Sequence, residues 1–252
     1  NPALAGKQYE TTLRTKLKSV FKNIPKNAGS TIQSAEALQG KIVNISPEIQ
    51  RDDNYAKEVL DHVAFFPISD NEQESIPADE ILQQHCRWLD LNPAITKKYN
   101  SFAVIRNPWA RVASRYFYAL KESMSGLKVA VDVSSFESFI GERHYWGNKP
   151  YMWHSAIRGW YCAADYVTDL NGNLVCDMLS FENLDTELCE YFSLESPPPR
   201  QNITGVGAGK YANIYTKDTI QIIADWYKKD IEMFGYDFDT GPTKNTWKEI
   251  VI

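Results

Sequence analysis

A lysine, a glycine and two hydroxyl residues stand close together in residues 25–31, whose sequence is PKNAGST. We expect residues 20–24 to form a buried strand, which Pro25 ends because proline has no amide hydrogen for a sheet. From Ser30, apolar residues recur with helical spacing up to Gly40, so a helix is predicted there. Such a turn directs backbone amides and the positive end of a helix at one point. With the charge of Lys26 added, this stretch predicts an anion site.

A second stretch with the same design is the sequence IRNPWARVASRY at residues 105–116. It follows residues 101–105, a continuous apolar run that is typical of a central parallel strand. Asn107 is expected to cap the next helix, whose first amides would then be available to an anion. Arg106 stands at the carboxyl end of the strand, where open α/β sheets bind ligands. Ser114 lies about two helical turns further on and faces the same side. A guanidinium with a hydroxyl suits a terminal phosphate.

Together, the two stretches resemble sulfotransferases. Residues 25–31 are similar to their 5′-phosphosulfate loop, P-K-x-x-G-[ST]-[ST], and residues 106–116 match their 3′-phosphate pattern, R-[ND]-P-x-x-R-x-x-S-x-Y, in the expected order. The run at 99–109 and the F-E-N-L sequence at 181–184 look like carbohydrate-type sulfotransferases, a group of bacterial and Golgi enzymes. The resemblance extends over residues 20–238.

The resemblance implies a P-loop-like three-layer α/β sandwich with a mostly parallel central sheet. It also implies 3′-phosphoadenosine 5′-phosphosulfate as the donor, adenosine 3′,5′-bisphosphate as the product, and no metal. Lys26 would bridge the sulfuryl group and the leaving oxygen. A loop at 205–211 would close over the nucleotide. The residues expected to hold the donor are Pro25, Lys26, Asn27, Ala28, Gly29, Ser30 and Thr31 at the 5′ end, Arg106 and Ser114 at the 3′-phosphate, and Lys210 and Tyr211 in the closing loop.

A hydroxyl acceptor also needs a base in line with the sulfur. His85 lies 21 residues before Arg106, which is similar to the position of a histidine in many carbohydrate sulfotransferases. His62, in an apolar run, is the second candidate, and a structural role stays open for either histidine. Three carboxylates are further alternatives: Asp61, Asp79 and Glu80.

Composition limits the partners. The chain has 252 residues and a net charge of −5, so no broad basic surface for nucleic acid is expected. A neutral glycan, a small alcohol or an amine-bearing metabolite is therefore favoured as acceptor over a long polyanion. The aromatic residues between 145 and 161 could stack on it, although core packing is favoured for each alone. None of the four cysteines forms a C-x-x-C pair, so structural zinc is not expected. Free thiols are favoured, but a pair between Cys162 and Cys176 stays open.

Strands that alternate with helices indicate one α/β domain over residues 1–252, with residues 1–17 as an N-terminal arm. Strand-like segments at 162–168 and 174–179 flank an Asn-Gly turn. Helices are expected at 78–89, 181–192 and 216–234. Because no run of 18 apolar residues occurs, no membrane span is expected. A cytoplasmic location is expected, the Golgi lumen with a removed anchor is the alternative, and the oligomeric state is left open.

Two other functions compete with sulfuryl transfer. A P-loop small-molecule kinase would need ATP, Mg²⁺ and a Gly-Lys-[ST] element, but no lysine stands between Gly29 and Ser30. A non-catalytic nucleotide-binding interaction module would keep Arg106 and Ser114 but would have no need of Lys26.

Overall fold

A four-stranded sheet, in which every neighbouring pair of strands is parallel, forms the centre of the computed structural model. The structure describes residues 18–43, 85–126, 131–147, 149, 152–201 and 210–248. Within these ranges the strands run in the order β2-β1-β3-β4. Their bounds are β1 Ser19–Lys22, β2 Ile42–Val43, β3 Asn100–Ile105 and β4 Asp177–Ser180.

Helices connect and flank these strands. The α-helices are α1 Gly29–Gln33, α2 Pro93–Lys98, α3 Pro108–Met124, α4 Phe136–Gly141, α5 Arg143–Trp146, α6 Ala164–Val167, α7 Leu184–Phe192, α8 Lys217–Trp226 and α9 Lys228–Phe234. Short 3₁₀ helices lie at Glu36–Leu38, Trp88–Asp90, Met152–His154 and Lys210–Ile214.

The alternating side chains of β3 divide the core into two parts. Phe102 and Val104 pack with residues of α1 and α7. Ala103 and Ile105 pack on the other face, with residues of α3, α8 and α9. Because successive residues of a strand point to opposite faces, helices cover both sides of the sheet. The predicted three-layer α/β sandwich with a parallel sheet is therefore confirmed.

The strand order fixes where a ligand site belongs. The chain passes from β1 outward to β2, and then from β3 outward to β4 on the other side. The order therefore reverses between β1 and β3, which pair directly over four residues. The carboxyl ends of strands at such a switch point form a crevice in open α/β sheets. Residues 23–28 and 106–107 follow these two strands.

Three residues lie at the ends of helical segments, and the predicted cap at Asn107 is confirmed. Asn107 caps α3 by accepting hydrogen bonds from the amides of Trp109 and Ala110. Ser135 caps α4 in the same way, through the amide of Ser138. Gly40 adopts the positive φ of 78° that was expected of it, but the helix predicted from Ser30 to Gly40 ends at Gln33, and a separate 3₁₀ helix covers Glu36–Leu38.

Other expectations about local structure are wrong. Residues 162–168 contain helix α6 instead of a strand, and only a single antiparallel bridge, Thr168 to Leu174, joins the two sides of the turn. The long helix expected at 216–234 is two helices, α8 and α9, which meet at the fully buried Tyr227. Of the helix expected at 78–89, the described end is irregular at 85–87 and then enters the 3₁₀ helix Trp88–Asp90.

The remaining expectations concern the chain as a whole. All four cysteines are free thiols, so Cys162 and Cys176 do not pair. No helix in the described ranges combines the length and apolar character needed to cross a membrane. The N-terminal arm lies outside the described residues, and the single-domain division stays a prediction.

Candidate functional site

The loop between β1 and α1 has an unusual backbone. Lys26 and Ala28 both adopt φ values of 67°, a left-handed conformation that costs a residue with a Cβ roughly 1–2 kcal/mol. Alternation of left-handed with ordinary residues makes successive amides converge into a concave anion site. No side chain caps α1, and the amides of Ala28, Gly29 and Thr31 have no acceptor among the described residues. The loop therefore presents convergent amides at the carboxyl end of β1.

Gly29 is required by a close approach of a side chain. A Cβ at this position would overlap the side-chain oxygen of Asn23 and would lie 2.7 Å from its Cγ. Asn23 is buried, and its amide contacts Gln33 on α1 at 3.4 Å. The glycine thus lets the helix begin directly against the end of β1.

We expect Gly29→Ala to lower the free energy of unfolding by about 1–3 kcal/mol, because overpacking forces Asn23 or the loop to move. Thermal unfolding measures this loss. The double variant Asn23→Ala/Gly29→Ala removes the overlapping atoms and is expected to recover part of it. Equal stability of Gly29→Ala and the unaltered protein would show that the close packing of Asn23 and Gly29 is not required.

Three side-chain hydrogen bonds join this loop to β3 and to the turn from β3 into α3, which is the second strand–helix corner. The amide of Asn27 donates to the Val104 carbonyl on β3 at 2.8 Å. Arg106 donates through Nη1 to the carbonyl of Lys26 at 2.9 Å, and Arg111 donates through Nε to that of Pro25 at 3.3 Å. These bonds stabilise the left-handed residues and join the two corners into one site.

The second corner differs from the sequence-based expectation in one respect. Its helix amides were expected to be available, but the side chain of Asn107 accepts from Trp109 and Ala110, and Glu182 accepts from the Asn107 amide at 2.8 Å. The expectation is wrong because protein groups occupy every amide of this turn that could bind an anion. Recognition at this corner must come from side chains.

Arg106 and Ser114 are the side chains that remain for that role. The Arg106 guanidinium stacks on Phe181, with its Cζ 4.0 Å from the ring centre, and its buried Nε has no hydrogen-bond partner among the described residues. Burial lowers the pKa of Arg106 to about 10, against the opposing effect of Glu182. Ser114 is 5% exposed, and its hydroxyl forms no hydrogen bond within the described residues. The Nε–H of Arg106 can therefore donate a hydrogen bond to an anionic oxygen of a ligand.

The side chain of Lys26 crosses to helix α3. Its Nζ lies 4.0 Å from the ring centre of Tyr118, one helical turn after Ser114. Burial, and to a smaller extent the nearby charge of Arg106, lower the pKa of Lys26 to about 8. Since Ser114 and Tyr118 share one face of α3, Lys26 lies on the side of the helix where Ser114 stands.

Two further arginines of α3 are buried behind the site. Arg111 donates to the Tyr161 carbonyl at 3.0 Å and lies 3.9 Å from Asp230. Arg115 donates to the Tyr227 hydroxyl at 3.2 Å. Burial raises the pKa of Asp230 to about 6, opposed by Arg111 and by the amides that it accepts from. The site therefore concentrates cations in a chain whose net charge is −5.

His85 lies beside the loop between β1 and α1, residues 23–28, which we call the phosphate loop. Its Nδ1 is 2.7 Å from the backbone carbonyl of Asn23, two residues before Pro25. Because a carbonyl oxygen only accepts, Nδ1 carries a proton, so in the neutral ring Nε2 carries the lone pair that a general base needs. His62, the second candidate, lies outside the described residues, as do Asp61, Asp79 and Glu80.

A comparison with protein-family models matches the description "Sulfotransferase family" over residues 9–237, which is most of the chain. The protein belongs to the sulfotransferase family. No curated protein and no solved structure matched in the corresponding searches.

Some residues expected to hold the donor of this sulfotransferase have other partners. The Thr31 hydroxyl accepts from the amide of Gln201 at 3.0 Å, which leaves its backbone amide for a ligand. Tyr211 is buried in the core, and its hydroxyl donates to the Phe238 carbonyl at 2.8 Å. The side chain of Lys210 and residues 205–209 lie outside the described part of the sulfotransferase.

Three residues that support the sulfotransferase site were missed at the sequence level. Tyr118 contacts Lys26, Asn23 binds His85 and packs on Gly29, and Glu182 caps the turn at Asn107. Glu182 belongs to the F-E-N-L sequence, which was a signal for the family but not for this role. Within the described residues, no group of three or more His, Cys, Asp or Glu side chains is suited to holding a metal ion.

Proposed function

We propose that the protein transfers a sulfuryl group from 3′-phosphoadenosine 5′-phosphosulfate to a hydroxyl or amine of a glycan or small-molecule acceptor. The observation that carries this proposal is the hydrogen bond from Arg106 to the carbonyl of Lys26. It joins two strand–helix corners, each with anion-binding groups, at the switch point of the sheet. A nucleotide with a phosphate near each end of its ribose fits such a pair of corners.

The described residues fit this donor. The amides of Ala28, Gly29 and Thr31 and the ammonium of Lys26 suit the 5′-phosphosulfate. The unpartnered Nε of Arg106 and the hydroxyl of Ser114 suit the 3′-phosphate. In this arrangement Arg106 binds the ligand with one part of its guanidinium and positions Lys26 with another.

Lys26 supplies the charge that the leaving group needs. When the S–O bond to the 5′-phosphate breaks, negative charge develops on the leaving oxygen, and an ammonium beside that oxygen stabilises it. The contact with Tyr118 holds the side chain of Lys26 in a partly desolvated position, in which its interaction with an anion is stronger than in water. Glu122, one turn beyond Tyr118, favours the charged form of Lys26.

His85 is the base in this proposal. The acceptor hydroxyl gives its proton to Nε2 while its oxygen forms the new bond to sulfur. The bond from Nδ1 to the carbonyl of Asn23 keeps the ring in the required tautomer. Asn23 thus acts on both His85 and Gly29, which links the orientation of the base to the shape of the loop.

The acceptor is proposed as a chemical class only: a neutral glycan, a small alcohol or an amine-bearing metabolite. The acidic balance of the chain supports this choice over a long polyanion. Trp146, Trp153 and Trp160 are at most 6% exposed, which supports core packing as their main role. Arg87, two residues after His85, stacks on Trp153 with its Cζ 4.0 Å from the ring centre.

The charge of Lys26 predicts a pH dependence of donor-site binding. Its lowered pKa of about 8 means that the ammonium is lost in the free protein as the pH rises through about 8. An anion binds the charged form, so the affinity for adenosine 3′,5′-bisphosphate should fall up to tenfold per pH unit above that value. Calorimetry between pH 7 and 10 measures this fall in affinity. Lys26→Gln should bind more weakly but without this fall; an unchanged fall in Lys26→Gln would assign it to another group.

His85→Asn separates the proposed base from a structural histidine. Asparagine can still donate to the carbonyl of Asn23, but it has no counterpart of Nε2. We expect kcat to fall roughly 10²- to 10⁴-fold, with bisphosphate affinity and thermal stability nearly unchanged. Steady-state rates with a sulfated product and calorimetry measure the two effects. If His85→Asn turns over at the original rate, His85 is structural and the base must be sought elsewhere.

Calorimetry with adenosine 3′,5′-bisphosphate and with ATP and Mg²⁺ tests the proposed function. We expect the bisphosphate to bind and ATP with Mg²⁺ to bind at least tenfold more weakly, because ATP has no 3′-phosphate for Arg106. Binding of ATP with Mg²⁺ and not of the bisphosphate would favour a kinase and reject the proposal. A screen with radiolabelled sulfate across acceptor classes then identifies the acceptor.

A further inference from the structure

Phe181 lies beside two guanidinium groups. It follows β4 directly, and the Cζ of Arg106 is 4.0 Å from the centre of its ring. The Cζ of Arg200 is 5.3 Å from the same ring centre. Arg200 comes from a distant part of the chain, so the fold brings a second arginine to the corner that Arg106 occupies.

The backbone around Arg200 is well positioned for contact with a ligand. The amide of the next residue, Gln201, donates to the hydroxyl of Thr31 at the start of α1. The three residues before Arg200 are prolines, 197–199, which restrict the backbone to extended conformations. Arg200 is therefore held between the phosphate loop and the second corner by a stiff segment on one side and a hydrogen bond on the other.

The present partner of Arg200 is easily exchanged. Its Nε lies 2.7 Å from the Asp185 carboxylate, and the two side chains are 29% and 52% exposed. An exposed ion pair of this kind contributes little to stability, so Arg200 can leave it for a stronger partner. The positive charge of Arg200 also acts on Arg106, whose buried Nε has no hydrogen-bond partner in the part of the chain that the structure describes. A dianion between the two guanidinium groups would relieve their repulsion.

We propose that Arg200 is a second guanidinium for the phosphate that the donor carries on the 3′ position of its ribose, and that it acts together with Arg106. Arg200 is then a specificity residue, which distinguishes 3′-phosphorylated adenine nucleotides from the common nucleotides that have no 3′-phosphate. Asp185 keeps Arg200 beside the site while no nucleotide is bound. The inference rests on the proposed function, since it takes the donor from there.

Calorimetry with two ligands tests this assignment. In the unaltered protein, adenosine 3′,5′-bisphosphate should bind more tightly than adenosine 5′-phosphate. Arg200→Gln should lose about 10- to 100-fold in affinity for the bisphosphate, the effect of a charged hydrogen bond, and less than about twofold for the monophosphate. Arg143→Gln, which removes a partly exposed arginine on α5, is the matched control and should change neither affinity. Asp185→Asn should leave bisphosphate binding unchanged or tighter.

The outcomes separate the inference from the proposed function. If the unaltered protein binds the bisphosphate but Arg200→Gln binds it equally well, Arg200 has no role and the inference is overturned. Equal losses for both ligands would place Arg200 at the 5′ end and overturn it too. If the unaltered protein does not bind the bisphosphate, the proposed function fails and the inference fails with it. Thermal unfolding of Arg200→Gln checks that the variant is folded.

Discussion

Lys26→Ala is expected to lower the rate of sulfuryl transfer roughly 1,000-fold and to leave the protein folded. The variant removes the ammonium that stabilises the leaving oxygen, and no other described cation occupies that position in the loop. The fold should tolerate it, because alanine adopts the left-handed conformation at about the same cost as lysine and the side chain of Lys26 contacts chiefly Tyr118. Turnover and thermal unfolding measure the two effects.

Lys121→Ala is the matched control for this experiment. Lys121 is an exposed lysine near the end of α3, and its charge acts on Lys26 from the surface. Its removal takes away one positive charge close to the site but none from the loop, so turnover should change less than about threefold. Unchanged turnover in Lys26→Ala would remove Lys26 from the mechanism.

Arg106→Ala is expected to weaken adenosine 3′,5′-bisphosphate binding roughly 100-fold, which is about 2.7 kcal/mol. The variant loses a charge-assisted bond to the 3′-phosphate and also the bond to the Lys26 carbonyl. Because the second loss relaxes the phosphate loop, the affinity for adenosine 5′-phosphate should fall as well, but only by about two- to fivefold. Calorimetry with both ligands separates the two contributions.

Arg106→Lys sharpens this test. Lysine keeps the positive charge but has neither the planar stack on Phe181 nor the fork that reaches the loop and the ligand together. We expect an affinity between those of the unaltered protein and Arg106→Ala. Retention of full bisphosphate affinity in Arg106→Ala would show that the second corner does not bind the 3′-phosphate.

The elements around the site could be predicted where the signal is local. The apolar run of β3 and the Asn107-Pro108 start of α3 act within a few residues, so the sequence predicted the position of β3 and the first residue of α3. The phosphate loop was found for the same reason, since its lysine, glycine and hydroxyl residues stand together. These local signals gave the two corners of the site and their order.

Elements that depend on distant partners could not be predicted. Residues 162–168 have the apolar content of a strand, but the carboxylate of Asp230 accepts hydrogen bonds from the amides of Ala163 and Ala164 and so favours a helical turn there. Asp230 lies more than 60 residues further along the chain. Likewise, the buried Tyr227, which accepts a hydrogen bond from Arg115, marks the break between α8 and α9. Tertiary contacts of this kind override local propensity.

The site itself shows the same division. The type and approximate position of Arg106, Ser114 and Lys26 followed from a motif. The availability of amides at the second corner did not, because Glu182 reaches Asn107 across 75 positions of sequence. The contact of Lys26 with Tyr118 could not be predicted either, because nothing in the loop sequence fixes the direction of a long side chain at a left-handed residue.

A crystal structure of the protein with bound adenosine 3′,5′-bisphosphate tests the central claim most directly. The account predicts that the 5′-phosphate contacts the amides of residues 28–31 and Lys26, while the ribose-borne phosphate contacts Arg106 and Ser114. A ribose-borne phosphate bound away from Arg106 and Ser114, or a nucleotide bound outside the crevice between β1 and β3, would contradict it.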